Sequence, residues 1–207
     1  GRFPVRSRDG MEHILVTVYK GYTHIHCQEN RKEETYVSSF RIVLKFFKDL
    51  GHDITNLITD NESSATLRDF FTSPSIACDV QFVPPNNHRA NPAERFIRTT
   101  KNHIIATLAS VHGTFPLDLW SRLVPFMQLT LNHLLPWHPD PSISAHHGLY
   151  GLPFDFRAHP IHPAGQLCYV YESSLTRASW ANHSSRAFYI GPAVSSYRCH
   201  HVHVAST

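Results

Sequence analysis

The chain is poor in cysteine: only Cys27, Cys78, Cys168 and Cys199 occur in 207 residues, far apart and never as Cys-x-x-Cys. A disulfide framework is therefore not expected, and a reducing compartment suits the chain better. No run approaches the roughly eighteen apolar residues that a membrane span needs. No apolar h-region follows Gly1-Arg2-Phe3-Pro4, so no secretory signal is expected. No phosphate loop or dinucleotide fingerprint occurs, and Ser63-Ser64 lacks a Gly-x-Ser-x-Gly setting, which excludes the usual serine-hydrolase elbow. Charge of one sign is also scarce, at a net +3. What is present is 42% hydrophobic and 12% aromatic content, enough for one sizeable α/β domain and a small appendage.

Apolar periodicity sets out the elements. Residues 1–7 read as a strand end, and Arg8-Asp9-Gly10 as a turn. Residues 12–19 alternate with Ile14, Val16 and Val18 on one face; Gly21 permits a turn, and residues 22–28 return. Residues 33–50 have helical spacing through Phe40, Val43 and Phe47, and Gly51 ends them. A strand over 54–59, a short helix over 63–71 and a strand over 78–83 follow. Asn91 then caps a helix with Pro92 at its first position, running to about 111. A Leu-rich helix is expected over 116–135. Three paired strands followed by alternating elements predict a mixed sheet with helices packed on it. Residues 136–165 form a Pro- and His-rich connector, and residues 166–207 alternate in short runs that suit a small β-barrel-like module.

Two carboxylates stand out. Asp60 closes the β-branched run Ile54-Thr55-Asn56-Leu57-Ile58-Thr59, and Glu94 opens a long amphipathic helix, with 33 residues between them. On that helix Ala93, Ile97, Thr100, Ile104 and Leu108 share one stripe, predicted to be buried, with Phe96 beside it. Glu94, Arg98 and Lys101 share another at i, i+4 and i+7. Carboxylate, guanidinium and ammonium side by side suit a metal ligand flanked by phosphate contacts. Taken alone, the helix fits an ordinary Glu–Arg pair on a solvated face equally well. Basic residues gather nearby: Arg89, Arg95, Arg98, Lys101 and Arg122 stand against Glu94 and Asp118, a balance that favours a polyanionic substrate.

Thr59-Asp60-Asn61, Val83-Pro84-Pro85, His88 and Asn91-Pro92-Ala93-Glu94-Arg95-Phe96-Ile97-Arg98-Thr99-Thr100-Lys101 resemble the core of retroelement integrases, the DDE enzymes of the RNase H-like superfamily. The resemblance covers roughly residues 1–135. Gly1-Arg2-Phe3-Pro4 with residues 19–28 is similar to the hairpin after that family's first catalytic Asp. Residues 187–192 look like the segment that follows the core in transposon polyproteins. The resemblance implies an RNase H-like five-stranded mixed sheet flanked by helices in residues 1–135. It implies DNA integration by Mg²⁺- or Mn²⁺-dependent polynucleotidyl transfer, with Asp60 and Glu94 as catalytic metal ligands. Asn61, Asn91, Arg95, Arg98 and Lys101 would contact DNA. The partners implied are element and target DNA and further copies of the chain, with no membrane, in a nuclear setting or a virus-like particle in the cytoplasm.

The family's first Asp sits in an Asp-x-Thr/Ser-Gly stretch. If Gly1 is that glycine, the Asp lies upstream, and strand transfer by this chain alone is expected to be weak or nil. Asp9, in a turn, is expected to be structural. The alternatives are a non-catalytic nucleic-acid-binding remnant and an RNase H-like nuclease. His24 and His26 on one strand, and Cys199, His201 and His203 near the end, match no familiar zinc spacing and are expected to be surface or edge residues. Trp120, Trp137 and Trp180 are expected to pack rather than stack on bases. Tyr197 and Arg198 are further candidates for nucleic-acid contact.

Overall fold

The computed structural model describes residues 2–60, 65–73, 76, 78–83, 93–175 and 177–205. The first element is a hairpin, β1 (His13–Tyr19) with β2 (Tyr22–Gln28), in antiparallel register from His13↔Gln28 to Tyr19↔Tyr22. Its turn has two residues, Lys20 and Gly21, both at positive φ (48° and 94°), the backbone that matches strand twist in a tight hairpin. At Gly21 a Cβ would also lie 2.5 Å from the Pro136 carbonyl oxygen, so glycine is required twice over.

Helix α1 (Glu33–Asp49) packs on one face of the hairpin. Asn30 Oδ1 accepts from the Lys32 N–H at 2.9 Å and from the Thr35 hydroxyl at 2.7 Å, which fixes the chain as the helix begins. Glu33 and Glu34 occupy the first turn and Lys48 the last, in keeping with the helix dipole. The parallel pair β3 (Asn56–Asp60) and β4 (Asp79–Val83) lies with α2 (Ala65–Thr72) against α1, through Phe40, Leu67, Phe71 and Cys78.

Helix α3 (Ala93–Ala109) and helix α4 (Trp120–Leu134), the latter entered through a 3-10 turn at Leu117–Leu119, cover the other face of the hairpin. Pro125 sits inside α4. The outer edge of β2 is closed by side chains of α4. Asn132 Oδ1 accepts from the Thr23 N–H at 2.7 Å, and its amide donates to the Thr23 carbonyl at 2.8 Å. Gln128 Oε1 accepts from the Ile25 N–H at 2.6 Å. A helix supplying amide groups in place of a neighbouring strand stops the sheet from growing on that side.

Beyond α4, short helix α5 (Ala145–Tyr150) is capped by Ser144, whose hydroxyl accepts from the His147 N–H at 3.1 Å. Gly148 faces the Trp137 ring with no room for a Cβ. Strands β5 (Leu167–Tyr171), β6 (Ser184–Pro192) and β7 (His200–Val204) make an antiparallel sheet in that order. Its Phe188 and Tyr189 share an apolar core with Ile104 of α3 and with Leu123, Phe126 and Met127 of α4.

The fold is mixed α/β, with five α-helices among the described residues. The expected single five-stranded sheet is not formed by them; β1–β2 and β3–β4 are separate two-stranded sheets. The cause lies in residues 2–8. They meet β1 only at an isolated Arg2–His13 bridge and then turn away. Phe3 stacks on Trp120 at 4.0 Å between ring centroids, and the Trp120 indole donates to the Val5 carbonyl at 2.8 Å. Pro4 has no N–H to offer a ladder. The strand expected over residues 1–7 is therefore replaced by a segment attached to α4. In the same way, the described part of 166–207 is an open three-stranded sheet, and the connector contains a helix that its prolines obscured.

Candidate active site at the end of β3 and the start of α3

Asp60 is the last residue of β3, opposite Val83 in the parallel register. Glu94 lies in the first turn of α3, where a carboxylate is favoured by the helix dipole, and is exposed. Ile58 and Thr59, just before Asp60, and Phe96 and Ile97, just after Glu94, line one cleft of about 490 Å³. The lining of the cleft thus reaches the residue before Asp60 and the second residue after Glu94.

Arg95, Arg98 and Lys101 are all exposed along α3. The Arg95 guanidinium lies 6.0 Å from the centroid of the Phe96 ring, which is itself buried and faces His138 at 5.6 Å. The charged stripe therefore points to solvent as expected. The buried stripe differs. Phe96, Thr100 and Ile104 are buried, whereas Ile97 is 41% exposed. The helix is rolled so that Phe96 faces inward, because the cleft leaves Ile97 without a packing partner of the kind a continuous sheet would supply. Asn61 and Asn91 lie outside the described residues, as do His88 and the loop around it.

Asp9 is held at the opposite end of the hairpin. It accepts from Arg122 Nη2 at 3.0 Å and from the Ser121 hydroxyl at 3.1 Å, and the Arg122 hydrogen bond holds its carboxyl below the usual range. This is the structural role expected of it.

The histidines divide by environment. His24 is buried, not a surface group, against Phe46 at 4.6 Å between ring centroids, and burial drives its imidazole down to about 4. His133 and His146 pack edge to face at 4.6 Å beside Phe154; burial lowers both, His146 to about 4. His146, His201 and His203 line a second cavity of about 980 Å³ between α4 and β6–β7. Among the described residues no group of three or more His, Cys, Asp or Glu side chains is placed to share a metal ion. Trp120 and Trp137 are packing residues, while Trp180 is fully solvent-exposed. The cleft itself was invisible in the sequence, because it arises from two strands that do not meet.

No protein-family model and no curated protein matches the sequence. Among solved structures, a chain in the cryo-EM structure of the simian T-cell lymphotropic virus intasome in complex with PP2A regulatory subunit B56 gamma is similar at 16% identity and a TM-score of 0.49. The alignment covers 97% of this chain and 72% of that one. A similarity this distant assigns no activity, and function has to be read from the residues. No described helix is long and apolar enough to cross a membrane.

Proposed function

We propose that this chain is an integrase-type core of the RNase H-like kind that takes part in DNA integration. The observation that carries the proposal is the shared cleft. Thr59, the residue before Asp60, and Phe96, in the same helical turn as Glu94, line one depression, and Arg95, Arg98 and Lys101 are exposed along the same helix. Two hard carboxylate donors on rigid elements fit Mg²⁺ or Mn²⁺. Asp60 and Glu94 would hold the ion, which when bound supplies charge stabilisation at a phosphodiester. Arg98 and Lys101 position the DNA backbone, and Arg95, propped on Phe96, adds a further phosphate contact. Asn61 and Asn91 complete the DNA contacts in this reading, and copies of the chain act together on element and target ends in the nucleus or in a virus-like particle.

The test uses a short blunt DNA duplex and fluorescence anisotropy. Arg98→Ala and Lys101→Ala each weaken binding and each reduce the slope of log affinity against log salt by about 1. Glu94→Gln leaves DNA affinity within about threefold, because it removes no phosphate contact, and abolishes Mn²⁺ binding followed by calorimetry. Unchanged salt slopes in both basic variants exclude DNA recognition by α3. Retained Mn²⁺ binding in Glu94→Gln, with normal DNA affinity in the parent chain, points instead to a non-catalytic nucleic-acid binder.

A further inference from the structure

Two imidazoles stand side by side where β7 begins. His162, in the connector, and His200, the first residue of β7, are both exposed, and their ring centroids lie 5.2 Å apart. Tyr189 of β6 lies against both, at 5.4 Å from His162 and 5.5 Å from His200, and is itself buried. The three rings form a nearly equilateral cluster, two at the surface and one beneath.

The backbone holds this spacing. The Arg198 N–H donates to the Ala158 carbonyl at 2.7 Å, and Arg198 Nε to the Arg157 carbonyl at 3.2 Å, which fixes the turn before β7 on the connector. The Gly165 N–H donates to the Tyr189 carbonyl at 2.8 Å, and the Tyr189 N–H to the Gln166 carbonyl at 2.9 Å, which fixes the connector on β6. In sequence His162 lies between these two anchor points. Arg198 has a φ of 53°, a backbone that a non-glycine residue adopts at a cost and keeps only where its surroundings impose it.

The distance between the imidazoles has a chemical meaning. A zinc-like ion sits about 2.0–2.1 Å from the ring nitrogen that binds it. With the depth of the ring added, two imidazoles on one tetrahedral ion have centroids about 5 Å apart. The observed 5.2 Å matches. Tyr189 supplies a second sign. Its hydroxyl is buried and makes no hydrogen bond of good geometry. Burial pushes its pKa up, and the approach of the His162 backbone N–H offsets this in part, so the hydroxyl lies close to His162. A buried hydroxyl without a partner calls for one, and a water on an ion beside His162 provides it. Cys199 is not part of the set, since its thiol is directed to the Tyr197 carbonyl at 3.5 Å.

We propose that His162 and His200 hold a divalent transition-metal ion of the Zn²⁺ kind, with waters in the remaining positions and the Tyr189 hydroxyl bonded to one of those waters. Imidazole nitrogen favours such ions over Mg²⁺, which takes oxygen ligands, so this site is separate from the Asp60–Glu94 reading. By joining the connector to β7, the ion stabilises the folded chain.

Calorimetric titration of the whole chain with ZnCl₂, in excess MgCl₂, is the test. The tightest site takes one Zn²⁺ per chain. His162→Ala and His200→Ala each weaken binding at least about tenfold, and Tyr189→Phe weakens it about tenfold. His183→Ala, at an exposed histidine elsewhere, leaves it unchanged. The ring NMR signals of His162 and His200 shift on addition of Zn²⁺. Zn²⁺ also raises the melting temperature of the parent chain but not of either histidine variant, and melting without metal checks that each variant is folded. No binding by the parent chain, or unchanged affinity in any of the three site variants, overturns the proposal, as do ring shifts confined to other histidines.

Discussion

Burial of the His24 ring between α1 and the hairpin makes protonation expensive. Its folded-state value falls from 6.5 to about 4, mainly through desolvation, with His26 close by adding repulsion. Among the described residues the His24 Nδ1 has no hydrogen-bond partner, so the neutral ring behaves as an aromatic filler beside Phe46. The sign follows from linkage. Between about pH 6.5 and 4 the unfolded chain binds the proton and the folded chain refuses it, so stability is full above 6.5 and is lost as pH falls towards 4. The upper bound for His24 is roughly 3 kcal/mol. His146 contributes in the same direction, to a smaller extent because it is more open. The urea midpoint of the parent chain should therefore drop on going from about pH 7 to about pH 4.5, and the drop should be smaller in His24→Leu. A midpoint equally pH-sensitive in both proteins would mean that His24 is not the group responsible.

At the scale of elements, two amides of α4, Asn132 and Gln128, hold the edge of β2. Asn132 is fully buried and satisfies both the N–H and the carbonyl of Thr23. Asn132→Ala leaves two buried backbone groups without partners and should cost about 2–4 kcal/mol in chemical denaturation. Asn132→Asp can still accept from the N–H but cannot donate to the carbonyl, and should also destabilise. A loss below about 0.5 kcal/mol in Asn132→Ala would show that water replaces the amide. The hairpin and α1 were legible in the sequence because each is decided locally. Ile14, Val16 and Val18 alternate up to a turn at Lys20-Gly21, and Phe40, Val43 and Phe47 recur at helical spacing. What was not legible depends on distant partners. Helix α5 hides between prolines and is fixed by Ser144 and by Gly148 against Trp137. Ile97 follows the apolar pattern yet faces the cleft. The place of Asp60 at a strand end and of Glu94 at a helix start was legible, while the cleft that Thr59 and Phe96 line was not.

Over the whole molecule, the C-terminal sheet is not a tethered appendage. Phe188 and Tyr189 complete a core whose other walls are Ile104, Leu123, Phe126 and Met127. The Gly165 N–H donates to the Tyr189 carbonyl, and the Tyr189 N–H to the Gln166 carbonyl, which ties the sheet to the connector. Ending the chain at residue 165 would uncover several large apolar side chains of α3 and α4, each contributing about 1.5–3 kcal/mol when buried. Such a protein should lose cooperative thermal unfolding and bind a hydrophobic dye. A sharp melting transition in the shortened chain would show that residues 2–165 hold their core without the sheet.

Helix α4 touches the hairpin through Asn132 and Gln128 and touches β6 through Phe126, whose ring meets that of Tyr189 at 6.2 Å. It therefore acts as a ruler between the two ends of the protein. The spacing between the C-terminal sheet and the hairpin is therefore set by the length of a single helix and not by the slack of a linker.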